Sequence, residues 1–427
     1  MCATTLVRPA RDVRHARVAV AGLFFTNGAL FANLVPRYPE IKAALELNNA
    51  SYGLAVAAFP AGAIAAGLAA APLLRRFGSA IVAVAGTILT SVGVLLAGVS
   101  PALAILVGAL FLAGAMDSFT DVAQNAHGLR VQRRYGRSII NSFHAVWSIG
   151  AVTGGLMAAA AIALRLPLGM HLASTAVLFS AVALLAWRWC LRGTDLVPDD
   201  ASPGHASGAP GRVTGRTVWL LAALVLVAVA GTLVEDAGST WAAVYLSGSL
   251  GAPATLAAAG FVALVGAQFV GRLVGDRLVD RFGQRAVART GGALVLLGTG
   301  LALAFPSVPG TIAGFAAAGF GVATLVPAAM QQADELPGLR AGTGLTLVSW
   351  LMRLGFLLSP PIVGLVADAT SLRAGLLVLP LAGLVVVLLA GVLAPGRRAA
   401  GRPGPAGHDR HDAHDRRTTA PEEAATA

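Results

Sequence analysis

Charge is scarce in this sequence. Only 12% of its residues are charged and 56% are hydrophobic, whereas a soluble domain carries about a quarter charged residues. A water-soluble chain of 427 residues could not cover itself with so little polar material. Lipid is the solvent that tolerates the excess. Cysteine is nearly absent. Cys2 and Cys190 stand alone, with no Cys-x-x-Cys or Cys/His spacing, which excludes a disulfide scaffold and a zinc module. Lys42 is the single lysine. There is no G-x-x-x-x-G-K-[ST] sequence, so ATP drive within this chain is unsupported. No HExxH or GxSxG set falls on an apolar run, so the chain is read as no enzyme, with no cofactor and no metal. The net charge of +11 raises nucleic acid as a partner. The arginines, however, sit in short clusters between apolar runs without a basic-aromatic motif, which excludes that reading.

What remains is a succession of apolar runs rich in alanine, glycine, leucine and valine. A bilayer core needs about 20 such residues per helix. This length predicts an all-α membrane protein with spans at 17–36, 52–74, 79–99, 102–126, 138–163, 168–190, 217–246, 254–275, 286–305, 308–331, 342–367 and 372–394. The seventh is long enough to break near Gly238. The basic stretch before Val18 imitates a signal peptide, but the run continues to Leu34, carries Asn27 and Asn33, and lacks a small-x-small cleavage site. It is read as a retained first helix. With the N-terminus cytoplasmic, 25 lysines and arginines fall inside, 4 outside, and Arg272 and Arg353 within spans. This excess predicts both termini in the cytoplasm of an inner-membrane protein. The segments are then a cytoplasmic N-terminus (1–16), a six-helix half (17–190), a Pro/Gly/Ser-rich linker (191–216), a second six-helix half (217–394) and a disordered tail (395–427). The tail's period-three His408, His411 and His414 are read as low-complexity sequence, not as a metal site.

The halves look duplicated. "RRFG" ends at Gly78 and "DRFG" at Gly283, 205 residues apart. Near the same offset Gln124-Asn125 falls opposite Gln331-Gln332, His144 near Trp350, and Gly150 opposite Gly355. Two parallel six-helix repeats place a binding site at the midplane between them. The loop "GDRLVDRFGQR" resembles the loop signature of the major facilitator superfamily, with Asp280, Arg281, Gly283 and Arg285 matching. In the first half Arg76 and Gly78 remain and Arg75 replaces the aspartate. The resemblance implies a gate that holds the inward side closed through charge contacts. "DSFTDVAQNAHG" (117–128), "NSFHAVWSIGAVTGG" (141–155), "EDAGSTWAAVYL" (235–246) and "GFLLSPPIVGLVAD" (355–368) look like the bacterial inner-membrane branch related to fucose permeases. The resemblance implies a secondary transporter, read as a monomer in membrane lipid, with sugar-like cargo as the branch's weak indication.

Polar groups inside a bilayer are costly and mark function or interhelical clamps. The fourth span carries Asp117, Asp121, Gln124 and Asn125 at i, i+4, i+7, i+8, read as one face. The fifth carries Asn141, His144 and Ser148, with Trp147 beside them. At 1.5 Å per residue Asp121 and His144 both lie ~9 Å from the same end, so they are candidates for proton coupling, with Glu235 as the alternative. A structural clamp between helices is the competing reading. Asn27, Gln268, Trp241 and Trp350 join Asp117, Asn125, Trp147 and Glu235 as candidates for a small-molecule cavity. Arg353, near midplane, either pairs with a protein carboxylate, the favoured reading, or binds an anionic substrate. The leading expectation is secondary transport of a small polar solute. Export of amphipathic compounds and a non-transporting membrane sensor are the alternatives.

Overall fold

The computed structural model describes residues 11–67, 69–136, 139–192, 214–339 and 342–393. Among these the chain is helical, with twelve helices long and apolar enough to cross a membrane. They are α1 (Arg11–Ala44), α2 (Asn49–Gly67), α3 (Ser79–Gly98), α4 (Leu103–Tyr135), α5 (Ile140–Ala163), α6 (Leu168–Trp189), α7 (Gly215–Ser249), α8 (Ala254–Phe282), α9 (Gln284–Ala304), α10 (Val308–Asp334), α11 (Thr343–Ala369) and α12 (Leu372–Val392). All twelve expected spans are present. The second is shorter than expected, because the stretch to Phe77 turns off as a separate short helix, Ala70–Phe77. Most of the expected linker, the tail, Cys2 and the three tail histidines lie outside the described residues.

The helix ends follow local chemistry. Thr214, Ser307 and Ser371 each accept a hydrogen bond from a first-turn N–H at 3.2–3.3 Å. Gly136 closes α4 in the left-handed region. Gly78 (φ 80°, ψ 153°) and Gly283 (φ 83°, ψ 154°) make the same turn into α3 and α9. A side chain is nearly forbidden in that conformation. α7 runs unbroken past Gly238 and loosens only at Tyr245–Ser249, where it becomes a π-helix, so the expected break is displaced. α10 breaks at Ala323–Thr324 because Pro327 has no N–H to give the Ala323 carbonyl. α11 carries Pro360 and Pro361 without interruption and breaks instead at Met352. There the Thr232 hydroxyl donates to the Met352 carbonyl at 2.9 Å.

Packing repeats with the sequence offset. A Cβ on Gly114 would overlap the Phe59 carbonyl, and one on Gly319 the Leu264 carbonyl. Gly86 lies against the Met116 carbonyl and Gly291 against the Gly321 carbonyl. Each pair is separated by the 205 residues that separate Gly78 from Gly283. Small residues bring helix backbones together where lipid supplies no hydrophobic drive between them.

The halves meet at one face of the bundle. Asp368, at the end of α11, accepts from the Asn49 and Ala50 N–H groups at 3.0 and 2.7 Å and from Asn49 Nδ2 at 2.9 Å. It therefore caps α2 from the opposite half. Tyr52 donates to the Thr240 carbonyl at 2.7 Å and stacks edge-on against Trp241 at 4.8 Å. Gly53 abuts the Pro360 carbonyl and Gly364 the Asn49 carbonyl. At the opposite face, which carries the Gly78 and Gly283 turns, no hydrogen bond joins the halves among the described residues.

Candidate functional site

Between the halves lies a cavity of about 300 Å³. Its floor on the N-terminal side is a hub at Asn27 of α1. Asn27 Nδ2 donates to Asp117 of α4 at 2.6 Å, and Asn27 Oδ1 accepts from Trp147 Nε1 of α5 at 2.8 Å. Gln124 Nε2 reaches the same oxygen at 3.4 Å. One amide thus uses both its ends to orient a carboxylate and an indole from two other helices. Hydrogen bonds that include a charged partner are the stronger ones.

The C-terminal half supplies the remaining charge. Glu235 and Asp236 of α7, Gln268 and Arg272 of α8, and Arg353 of α11 face the same space. Arg272 lies 3.8 Å from Glu235 and donates to the Ser148 hydroxyl of α5 at 3.3 Å, which spans the two halves. Phe31, Phe59, Phe261 and Phe356 complete the wall with Trp147.

Six of the nine expected cavity residues line this space: Asn27, Asp117, Trp147, Glu235, Gln268 and Arg353. Trp241 does not. It is fully buried behind the wall against Tyr52, because six residues from Glu235 puts it about 120° round the helix, a third of a turn away. Ser239 and Thr240, three and four residues after Asp236, take the lining positions. Trp350 is 56% exposed and precedes the break at Met352, which re-aims the helix so that Arg353 and Phe356 face inward. Asn125 bends back onto its own helix, with Nδ2 at 2.8 Å from the Asp121 carbonyl and 3.0 Å from its carboxylate. Asp117 and Gln124, two turns apart, share the inner face, and Asn125 is a further 100° round.

Asp121 and His144 lie outside the cavity lining. Each is within electrostatic reach of the other, Asp121 also of Arg353 and His144 of Arg272, but no hydrogen bond joins the pair among the described residues. The His144 ring stands edge-on to Phe24 at 5.2 Å. The pairing favoured for Arg353 is absent, since no carboxylate lies within 4 Å of it among the described residues. The signature loop is exposed at Asp280 and Arg281, while Gly283 is buried. Arg285 donates to the Leu393 carbonyl at 3.1 Å within its own half, and Arg76 lies over its neighbour Phe77. The sequence reading noted Asp236 and Ser148 inside spans but left them off the cavity candidates, and it missed Thr240 and the phenylalanines. Arg272 was visible as a cation inside a span but received no role.

Two six-helix repeats around a shared polar cavity have a counterpart among known families. The family model of the Major Facilitator Superfamily fits residues 20–278 and again 236–421. The chain belongs to the major facilitator superfamily. This makes it a multi-pass membrane transporter and not an enzyme. Among curated relatives, an uncharacterized transporter of Sinorhizobium fredii is 31% identical over 88% of this chain and 97% of its own length. The membrane protein MosC of Rhizobium meliloti is 29% identical over 86% of this chain and 88% of its own. Among solved major facilitator structures, a mutant of the nucleoside transporter NupG superposes with a TM-score of 0.71 at 11% identity, covering 88% of this chain and 98% of that one. A D-xylose-proton symporter gives 0.65 at 14% identity, covering 88% and 96%. At those identities the likeness is one of fold.

Proposed function

We propose that this transporter moves a small, polar, sugar-like solute by alternating access, as the branch related to fucose permeases would. The observation that carries the reading is the mid-span cavity, in which hydrogen-bonding Asn27, Asp117, Gln268 and Arg353 face aromatic Trp147 and Phe356. Alternating donors and acceptors beside a flat apolar ring suit a molecule with many hydroxyls. Neighbours named for nucleosides and xylose support this class. Thermal-shift screening of the purified chain tests it. Polyols or nucleosides should raise the melting temperature, and Asp117→Asn should abolish the rise. Stabilisation by amphipathic compounds alone would transfer the site to the exporter reading, which the phenylalanine wall favours.

We further propose proton coupling through Asp121, His144 and Glu235. An unperturbed histidine titrates near pH 6.5. His144→Gln and Asp121→Asn should each flatten the pH dependence of uptake between about pH 5.5 and 8 while leaving counterflow intact. Loss of counterflow together with uptake would mean that these residues hold helices together instead. Asp280 and Arg281 belong to the closure of the face now unjoined, and both termini to the cytoplasm. Reporter fusions after Arg192 and Pro395 read the orientation directly, and a periplasmic signal from either refutes it.

A further inference from the structure

Beside the joined face, α1, α7 and α11 bring together oxygens that the hydrogen bonding of the bundle leaves over. Asp236 of α7 lines the cavity, and its Oδ2 is buried with no hydrogen-bond partner among the described residues. The Ser359 hydroxyl of α11 lies beside that carboxylate, and the Tyr38 phenol of α1 is within its electrostatic reach. Both side chains are buried, and neither hydroxyl makes an aligned hydrogen bond among the described residues. Their neighbours are satisfied. Tyr52, edge-on to Tyr38 at 5.7 Å, donates to the Thr240 carbonyl at 2.7 Å. Thr240 donates to the Asp236 carbonyl at 2.8 Å, and Thr87, Ser91 and Thr299 bond one turn back in the same way. Ser359 does not take that bond.

Charge is unbalanced at the same place. Glu235 adjoins Asp236 as a like charge. Arg272 is engaged by Glu235 at 3.8 Å and by Ser148 at 3.3 Å. No cationic side chain lies within 4 Å of Asp236 among the described residues. A buried ionised oxygen without a counter-charge is costly. α11 adds backbone oxygens. Pro360 and Pro361 have no N–H to give the Phe356 and Leu357 carbonyls, so two oxygens in the turn that carries Ser359 lack their helical partner. Carbonyls freed from a spanning helix coordinate alkali cations beside transport sites. The donors are all hard oxygens. One carboxylate among neutral oxygens fits a monovalent cation, whereas a divalent one calls for more carboxylates.

The repeat does not account for this set. At its offset of 205 residues, Tyr38, Asp236 and Ser359 stand opposite Ala243, Phe31 and Gly154. The three polar residues are therefore no part of the packing that the halves share.

We propose that Asp236, with Ser359 and Tyr38, binds a sodium ion that enters from the cavity, a cargo distinct from the solute and from the protons assigned to Asp121, His144 and Glu235.

The test uses the purified full chain in detergent without solute, at fixed pH and ionic strength, with sodium chloride replaced stepwise by choline chloride. Sodium should raise the melting temperature saturably, and choline should not. Asp236→Asn should lose the rise. Ser359→Ala and Tyr38→Phe each remove one oxygen and nearly keep the shape, and each should raise the half-saturating sodium concentration roughly tenfold. These two decide the matter even if Asp236→Asn proves too unstable to assay. No saturable rise in the wild type, an equal rise in Asp236→Asn, or an unchanged half-saturation in both single-oxygen variants overturns the site. Stabilisation by acid but not by sodium, lost in Asp236→Asn, overturns sodium as the occupant and makes it a proton. Because no solute is present, failure here leaves the polyol and nucleoside screen as a separate measure of the sugar-like reading.

Discussion

The two halves share a backbone plan and differ in where they keep polarity. In the first, Asn27 joins Asp117, Gln124 and Trp147 through side chains. At the offset of the repeat the second half has Thr232, Val322, Ala329 and Met352. The one surviving contact is from the Thr232 hydroxyl to the Met352 carbonyl. Thus the same meeting of first and fifth helices in each half is a charged network in one and a backbone clamp in the other. Conversely, Glu235, Asp236, Gln268 and Arg272 correspond to Leu30, Phe31, Ala63 and Gly67. Duplication preserved the close approaches of helices, which depend on small residues. The polar lining diverged independently, so each half contributes different chemistry to one cavity.

Substitution can break this comparison at three levels. Gly114→Val and Gly319→Val should have the largest effects, about 3 kcal/mol each, since both force a side chain into a neighbouring carbonyl. Thermal unfolding should show similar losses for the two. A neutral result at one would end the equivalence there. Next, Asn27→Ala should cost about 2 kcal/mol by leaving Asp117 and Trp147 without their partner. Thr232→Ala should cost about 1 kcal/mol, since it loses one neutral bond. Solute binding by calorimetry should weaken with the first and hold with the second, and equal loss would mean that the hub is structural. Smallest is Asp368→Asn. It removes the charge that caps α2 and turns an amide toward the Ala50 N–H, for about 1 kcal/mol. A cysteine at Ser51 should then react with a polar maleimide about fivefold more readily. An unchanged rate would show that the packed glycines alone hold that face.

Span number was legible because solvent dictates it: twelve stretches of hydropathy above water's tolerance admit little else. Gly78 and Gly283 were legible because their turn demands glycine. The cavity was legible where a costly polar residue had to be inward, as at Asn27, Asp117 and Arg353. It was illegible for residues whose orientation depends on helix phase after an irregularity. Trp350 and Arg353 are three residues apart and would share a face in a continuous helix, and the break at Met352 separates them. Trp241 looked like a platform from its type, but phase buries it. The Asp368 cap closed a quoted motif, yet its partners lie over three hundred residues away, where no local pattern reaches.

A single carboxylate holding three donors makes the joined face a latch that opens into water. Sliding the halves apart strains all three bonds at once, and because Asp368 is exposed, water can take their place. Once released, the two lips are unlike. One carries the negative charge of Asp368, and the other carries the bare positive end of α2. Water would enter between them first, and a solute arriving there would meet an oriented field before it met the cavity.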